Sequence, residues 1–587
     1  MTSPGVLAAN SGFPSTDGKY HLRYPAGDAP LGASLVASAV AAILATGAIS
    51  GGGTDPNQLP VGHYVVGKLA PAVVYPRPDS ETGTFGSGTV YARHRWAYYD
   101  GIHSVEYVVP IGVQGGTRPW KWALTVAPPG ATIGAGWTAQ NPGVVRWTPT
   151  QAYSTSSPAN FTVTATDQVG NTITISWTVA TSSSTNQFIF VSPSNNASPG
   201  NDSTGDGSIG NPFATLAKVM GTTAAASTYP GRIVVMRGGN LAWPLFTDST
   251  LTGFSALDKT LKPIAYVTFP GENVTIDGSA AGLYDTGAGT DDLFYGGSAT
   301  GRLTINGTSA TSASAHTFRM YNPNRVTWFN IDFTNPISRA NDGMTNSTST
   351  FGYNNSTSSG GVGIPGKNYW FMYGCTESGR LTGANNSMLL CCWFSVGYFV
   401  VEYCNATGYA GFGTYFKDAN VNGTVYNSVF NNLEQAGGSF HFGGQNGESP
   451  VVKSQNLEIC YCFCKGGPLW FDHQSGAIYG LTHSYRNTIL NQFNDFNYGL
   501  GNWTPAGQGP LYSDNDVIVA RSPGGISTAG GQPVTATGTE VQVAWSGTTF
   551  SAPSNMPFDA VTGNLVNVAG GTQWRSLYFG THGHELG

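Results

Sequence analysis

The chain reads as all-β: a long coil of short β rungs preceded by a small sandwich. Three observations predict this. Between residues 369 and 520 short aromatic and β-branched runs recur, among them YWFMYGC, MLLCCWF, FVVEYCNATG, TVYNSVFNN, LEICYCFCKGG and DVIVA. Gly, Asn and Ser separate these runs, and no long helical period intervenes, so rungs stacking without crossover helices are expected. Composition agrees: 12% aromatic residues supply apolar surface to bury despite 80 Gly and 34 Pro. A chain of 587 residues is also too long for one compact core, so more than one unit is expected.

Only 10% of residues are charged, against roughly 25% in ordinary globular domains. Solubility must rest on Ser, Thr, Asn and Gly, as in many secreted or virion β-structures. The net charge of -6 provides no basic footprint for nucleic acid. A glycan or protein partner fits better.

Residues 1–100 read as an attachment region, polar and Pro/Gly-rich at first. MTSPGVLAANSGFPSTDG carries no basic n-region and no apolar h-region, so no secretory signal is recognised. The run LGASLVASAVAAILATGAIS (31–50) nearly reaches membrane-spanning length. Its Ala, Ser, Gly and Thr content marks a small-residue packing helix rather than a membrane span. Strand-like pieces HYVVGKLAPAVVY and TVYARHRWAYY follow.

Residues 101–182 read as a sandwich. SVEYVVPIGV, WKWALTV, GVVRWTP, NFTVTATD and TITISWTV alternate apolar and polar positions. Pro128, Pro129 and Gly130 break the ladder, and Asp167 to Asn171 supply a hairpin connection. GGTRPWKWALTVAPPGATI, GVVRWTPT and NFTVTATDQVGNTITISWTV resemble Ig-like domains of cadherin type. The calcium-ligand motifs of cadherins are absent, so the resemblance implies the fold and no metal site.

Residues 183–525 read as the coil. FIFVSPSNNASPGNDSTGDGSIGNPFATLAKVM resembles the entry to right-handed parallel β-helix proteins of the pectate-lyase-like superfamily. There a strand and a Gly/Asp/Asn loop lead to a capping helix. Asn211 suits the N-cap and Pro212 the first helical position, with Phe213, Leu216 and Met220 on one face as the plug. Asp202 and Asp206 lack EF-hand spacing, and a loop of Asx turns is expected. RIVVMRGG, YVTFPGENVTIDG and RVTWFNIDFTN continue the rungs, with an irregular period of roughly 20 to 35 residues. The whole coil is thus expected to be a single-stranded right-handed parallel β-helix. Past about residue 525 the pattern changes, and 526–587 read as a C-terminal β cap over the last edge.

All 7 cysteines fall between Cys375 and Cys464. Cys460, Cys462 and Cys464 alternate, so on one strand they share a side about 7 Å apart, awkward for a disulfide. They read as small core residues with free thiols, as in a protein assembled in a reducing cytoplasm. The Cys-x-Cys-x-Cys spacing is a poor match to structural zinc, and no cofactor is expected.

With charges sparse, each rung carboxylate is a candidate for chemistry. Glu402, Asp418, Glu434 and Asp472 fall at or near successive rungs and are expected to line one face. In PLWFDHQSG, Trp470 and Asp472 share one strand face and Phe471 and His473 the other. In SFHFGG, His441 lies opposite Phe440 and Phe442. Glycosidases need two carboxylates about 5 to 9.5 Å apart, which adjacent rungs permit. Glu434 and Asp472 are therefore the acid/base candidates, with Trp470, His441 and Tyr415 as substrate-binding residues. A lyase would also need a cation, for which Lys417 and Arg380 are candidates.

The order of parts resembles that of phage tailspikes: attachment region, spacer, β-helix rod, C-terminal cap. That resemblance implies a homotrimer joined to a phage tail or baseplate through residues 1–100, located in the virion and binding, or depolymerising, a host surface polysaccharide. Two other classes stay open: a secreted polysaccharide lyase or glycoside hydrolase, and a non-enzymatic structural fibre.

Overall fold

The computed structural model describes residues 11–14, 20–22, 65–78, 85, 92–134, 143–183, 186–221, 228–244, 262–277, 283–285, 293–306, 318–321, 325–334, 351–354, 369–378, 390–393, 398–407, 414–417, 421–431, 440–443, 455–465, 469–472, 480–490, 500–502, 510–514, 516–520, 526–527, 534–537, 540–543, 545–546 and 549–550. The 31–50 run lies outside them.

From Phe188 onward the chain deals its strands in rotation to three parallel sheets of 12, 11 and 9 strands. The first runs from Phe188–Val191 to Val534–Thr537, the second from Gly239–Ala242 to Glu540–Val543, the third from Leu283–Asp285 to Ile526–Ser527. The class is all-β, and the long parallel sheets are compatible with a parallel β-helix. The last strands of all three sheets lie within the segment read as the cap, so rungs continue past residue 525.

One apolar core runs the length of the coil. It contains a ring stack in which Tyr266 and Tyr295 lie 5.3 Å apart and Tyr295 and Trp328 lie 4.7 Å apart. Parallel register brings like side chains above one another, which suits offset stacking. The helix that closes the start of the coil is Leu216–Met220, later than expected. Phe213 instead bridges to Val191 and exchanges backbone hydrogen bonds with Phe190 and Ser192, which holds the chain extended beyond Pro212. Thr215 is the N-cap, accepting from the Lys218 N–H, and Asp202 accepts from the N–H groups of Ala214 and Thr215. Phe213, Leu216, Val219 and Met220 are buried in the core, as a plug requires.

The corner between the first and second sheets repeats rung by rung. Asn330, Gly374, Tyr403, Asn427, Tyr461 and Arg486 all have positive φ, between 46° and 64°. Each donates its N–H to the next rung, as in Tyr403 N–H to Tyr426 O at 3.2 Å. Asn and Gly tolerate this left-handed conformation; Tyr and Arg rarely adopt it. The corner also separates the cysteines. Cys460 ends strand Gln455–Cys460 and packs on the outer side of the first sheet, whereas Cys462 and Cys464 lie past the turn in the coil core. The three therefore do not share one strand side: left-handed Tyr461 interrupts the alternation. Cys375, Cys404, Cys460, Cys462 and Cys464 are buried and free.

Before the coil, two antiparallel sheets pack face to face. Strands Lys121–Val126, Ala159–Thr166 and Thr172–Ser182 form one, joined in parallel by Trp96–Tyr98. Tyr107–Pro110, Thr132–Ile133 and Val144–Trp147 form the other. Phe161 stacks on Trp177 at 5.3 Å and meets Trp147 at 5.5 Å between them. The hairpin at Asp167 forms as expected; its carboxylate accepts from the N–H groups of Val169, Asn171 and Thr117.

This β unit lies along the outside of the first sheet. One apolar cluster joins Tyr75, Tyr98, Ile111, Val113 and Trp120 to Phe294, Phe371, Val400 and Tyr426 of the coil. Gly112 must be glycine there, since a Cβ would come within 2.9 Å of the Phe371 ring. Gly115 N–H donates to Thr424 Oγ1 at 2.7 Å. Where the β unit lies, both faces of the first sheet are consequently buried, whereas Thr535 and Ala536 on its last strand are exposed.

Candidate functional site

The third sheet holds most of the candidate residues. Its backbone register pairs Tyr415 with His441 and His441 with Trp470, so the three occupy one column on successive rungs. Asp472 is two residues beyond Trp470 on strand Leu469–Asp472, in a column with Gly443 and Lys417. Alternation along a strand therefore gives both columns the same parity. The residues of opposite parity form a different set: Phe416, Phe442 and Phe471 make a Phe column, flanked by Phe440 and Leu469. Strand spacing of about 4.8 Å and a rise of about 3.4 Å per residue make the strip on the order of 10 Å by 7 Å.

Register adds residues that sequence reading missed. Trp393 pairs with Lys417, and Arg319 and Tyr284 share the Tyr415 column further up the coil. The available signal was the x-Phe-x motif of YFK, HFG and WFD, with CCW aligned by position. Gly443, between Lys417 and Asp472, leaves one rung of that column without a side chain.

Of the four carboxylates expected to line one face, Glu402 and Asp472 fall on different sheets. Glu402 belongs to the first sheet, under the β unit, where it pairs with Arg118; both side chains are buried. Burial pushes the Glu402 carboxyl up and Arg118 opposes that rise, while Glu402 holds the guanidinium above its ordinary value against the same burial. Glu434, Asp418, Arg380 and His473 lie outside the described residues. Among the described third-sheet residues the only other carboxylate is Asp285, six rungs from Asp472 and on the opposite parity. That separation is on the order of 30 Å, beyond the reach of a two-carboxylate glycosidase.

The other flanks offer less. Much of the first sheet is covered by the β unit. On the second sheet Asp332 accepts from Arg302 Nε at 2.6 Å and Thr376 Oγ1 at 2.5 Å. At the first-sheet edge Arg237 and Glu272 form a two-pronged ion pair, which lowers the carboxyl against its burial. These groups are engaged with one another.

Among the described residues, no set of three or more His, Cys, Asp or Glu is arranged to hold a metal ion. Nor is any helix there long and apolar enough to cross a membrane. No family model, curated protein or solved structure matches this chain.

Proposed function

We propose that the protein is a receptor-binding tail protein of phage tailspike type, and that its third-sheet strip contacts a host surface polysaccharide. The observation that carries this reading is the column Tyr415–His441–Trp470, with Asp472 beside it on the same parity. Sugars present C–H faces that pack on aromatic rings and hydroxyls that bond to Asp, His and Lys. Strand positions hold such groups on a rigid frame. In this reading the coil is right-handed, as parallel crossovers almost always are. The β unit is an Ig-like spacer, residues 1–100 attach to the tail or baseplate, and the last residues cap the coil of a homotrimer.

Among the described third-sheet residues Asp472 has no second carboxylate within glycosidase range, so what the strip itself supports is binding. The test is incubation of the purified chain with a panel of bacterial surface polysaccharides, with complex formation and product size followed by size-exclusion chromatography. Co-elution with one polysaccharide supports the proposal. A shortened product would identify a depolymerase, and absence of binding across polysaccharides from a susceptible host would favour a structural fibre.

A further inference from the structure

His483 sits at 0% side-chain exposure between two carboxylates on neighbouring rungs. Its Nδ1 is 3.2 Å from Glu458 Oε1 and its Nε2 2.9 Å from Asp514 Oδ2. The same Glu458 oxygen accepts from the N–H groups of Lys68 at 2.5 Å and Leu69 at 2.9 Å. Residues 67–69 are tied on their other side to the β unit. Gly67 N–H donates to Thr117 Oγ1 at 3.1 Å, and Leu69 O accepts from Gly116 N–H at 2.9 Å. The Lys68 ammonium lies 3.6 Å from Asp514 and over the Tyr512 ring.

An imidazolium donates from both ring nitrogens; a neutral imidazole donates from only one. With both nitrogens facing carboxylate oxygens, deprotonation turns a lone pair toward one of them. We propose that His483 is a protonation switch that clasps residues 65–69, and with them the edge of the β unit, to the coil.

The other groups around the ring are Tyr485 on its own strand, Cys460 and Glu458 on the preceding rung, and Tyr512, Asp514 and Asp516 on the following one. Lys68 approaches from the docked segment, and Arg118 of the β unit acts on Tyr485 and Cys460. Burial lowers the His483 pKa, but the hydrogen bonds to Asp514 and Glu458 outweigh it and hold the group above its ordinary value. A pKa raised on folding stabilises fully below about 6.5, and the contribution is lost as pH rises through the folded value. The clasp therefore closes toward acid and loosens toward alkali.

The test is hydrogen exchange of the full chain from pH 5.5 to 9, read by mass spectrometry on the peptide containing Lys68 and Leu69. Rates are corrected for intrinsic exchange and referred to strand Ile233–Met236. Protection should fall at least tenfold through a midpoint above 6.5, and His483→Gln should abolish the transition. Lys68→Met removes a neighbouring cation from a partly exposed position, and should move the midpoint upward. Protection independent of pH in the unmodified protein, or a transition that survives in His483→Gln, would overturn the proposal. If His483→Gln does not fold, an unmoved midpoint in Lys68→Met does the same.

Discussion

Arg118 and Glu402, 284 residues apart, form an ion pair with side-chain exposures of only 1% and 3%. Arg118 also donates to the Val113 carbonyl and lies 4.8 Å from the centre of the Tyr426 ring. The pair joins the β unit to the coil at a point that neither could seal alone. Removing one partner leaves a buried charge uncompensated, a loss of about 3–5 kcal/mol. Glu402→Ala should therefore unfold at lower denaturant than wild type, with the β unit detaching first. Replacing both groups, as Arg118→Met with Glu402→Leu, should recover most of that loss. Urea titration of wild type and the two variants checks this, and equal losses in the single and double variants would refute it.

Asp516 should make the coil more stable in mild acid. Its carboxylate is buried and accepts from Ser484 Oγ, Ser513 Oγ and the Asn487 N–H, yet burial outweighs these bonds and raises its pKa to about 6. The folded state thus holds the proton more tightly than the unfolded chain, whose carboxyl titrates near 3.9. Stability from this group is fully present below about pH 3.9 and is lost as pH rises through about 6, on the order of 3 kcal/mol. Asp516→Asn should flatten that slope in urea titrations between pH 4 and 7, because the serine hydroxyls can turn from donors to acceptors. An unchanged slope would count against this assignment.

Cys375, Cys404, Cys460, Cys462 and Cys464 should resist alkylation in the native state. Burial pushes the thiols of Cys404, Cys460, Cys462 and Cys464 well above their ordinary value, and the thiolate is the reactive form. Several sulfurs also lie close to a carbonyl two residues back, as Cys462 Sγ does to Cys460 O at 3.3 Å. Iodoacetamide should label these five only after denaturation without reductant, as peptide mass spectrometry would show. A stoichiometric cross-linked peptide among them would contradict free thiols.

Light scattering of the purified chain should give the mass of a trimer. Low charge with many aromatics suggests covered outer surface, and part of that cover is intramolecular: the β unit buries Phe371 and Tyr426 on the first sheet. Contacts between chains would then use other surfaces. A clean monomer in dilute solution would favour the free-enzyme class.

Much of the coil was legible because a rung needs only local pattern. Segments such as YWFMY and YFVVE carry their own β-branched and aromatic signal, and both are strands of the first sheet. The docking of the β unit was not legible, because Arg118 and Glu402 look like two ordinary surface charges until register and distance are known. The corner was half legible. Asn330 and Asn427 suit a left-handed turn, but Tyr403, Tyr461 and Arg486 do so only because stacked rungs hold them there. For the candidate strip, alternation within WFD and HFG placed Trp470, Asp472 and His441 on one parity. Stacking register, which puts Tyr415 and Lys417 beside them, is a property of the assembled coil.

The most direct test of the central claim is a crystal structure of the protein with an oligosaccharide from a polysaccharide it binds. Sugar rings are expected across Tyr415, His441 and Trp470, with a hydroxyl on Asp472, and Trp470→Ala should bind at least tenfold more weakly at unchanged thermal stability. Sugar bound on the second sheet, on the β unit or between chains, with Trp470→Ala binding as tightly as wild type, would contradict it.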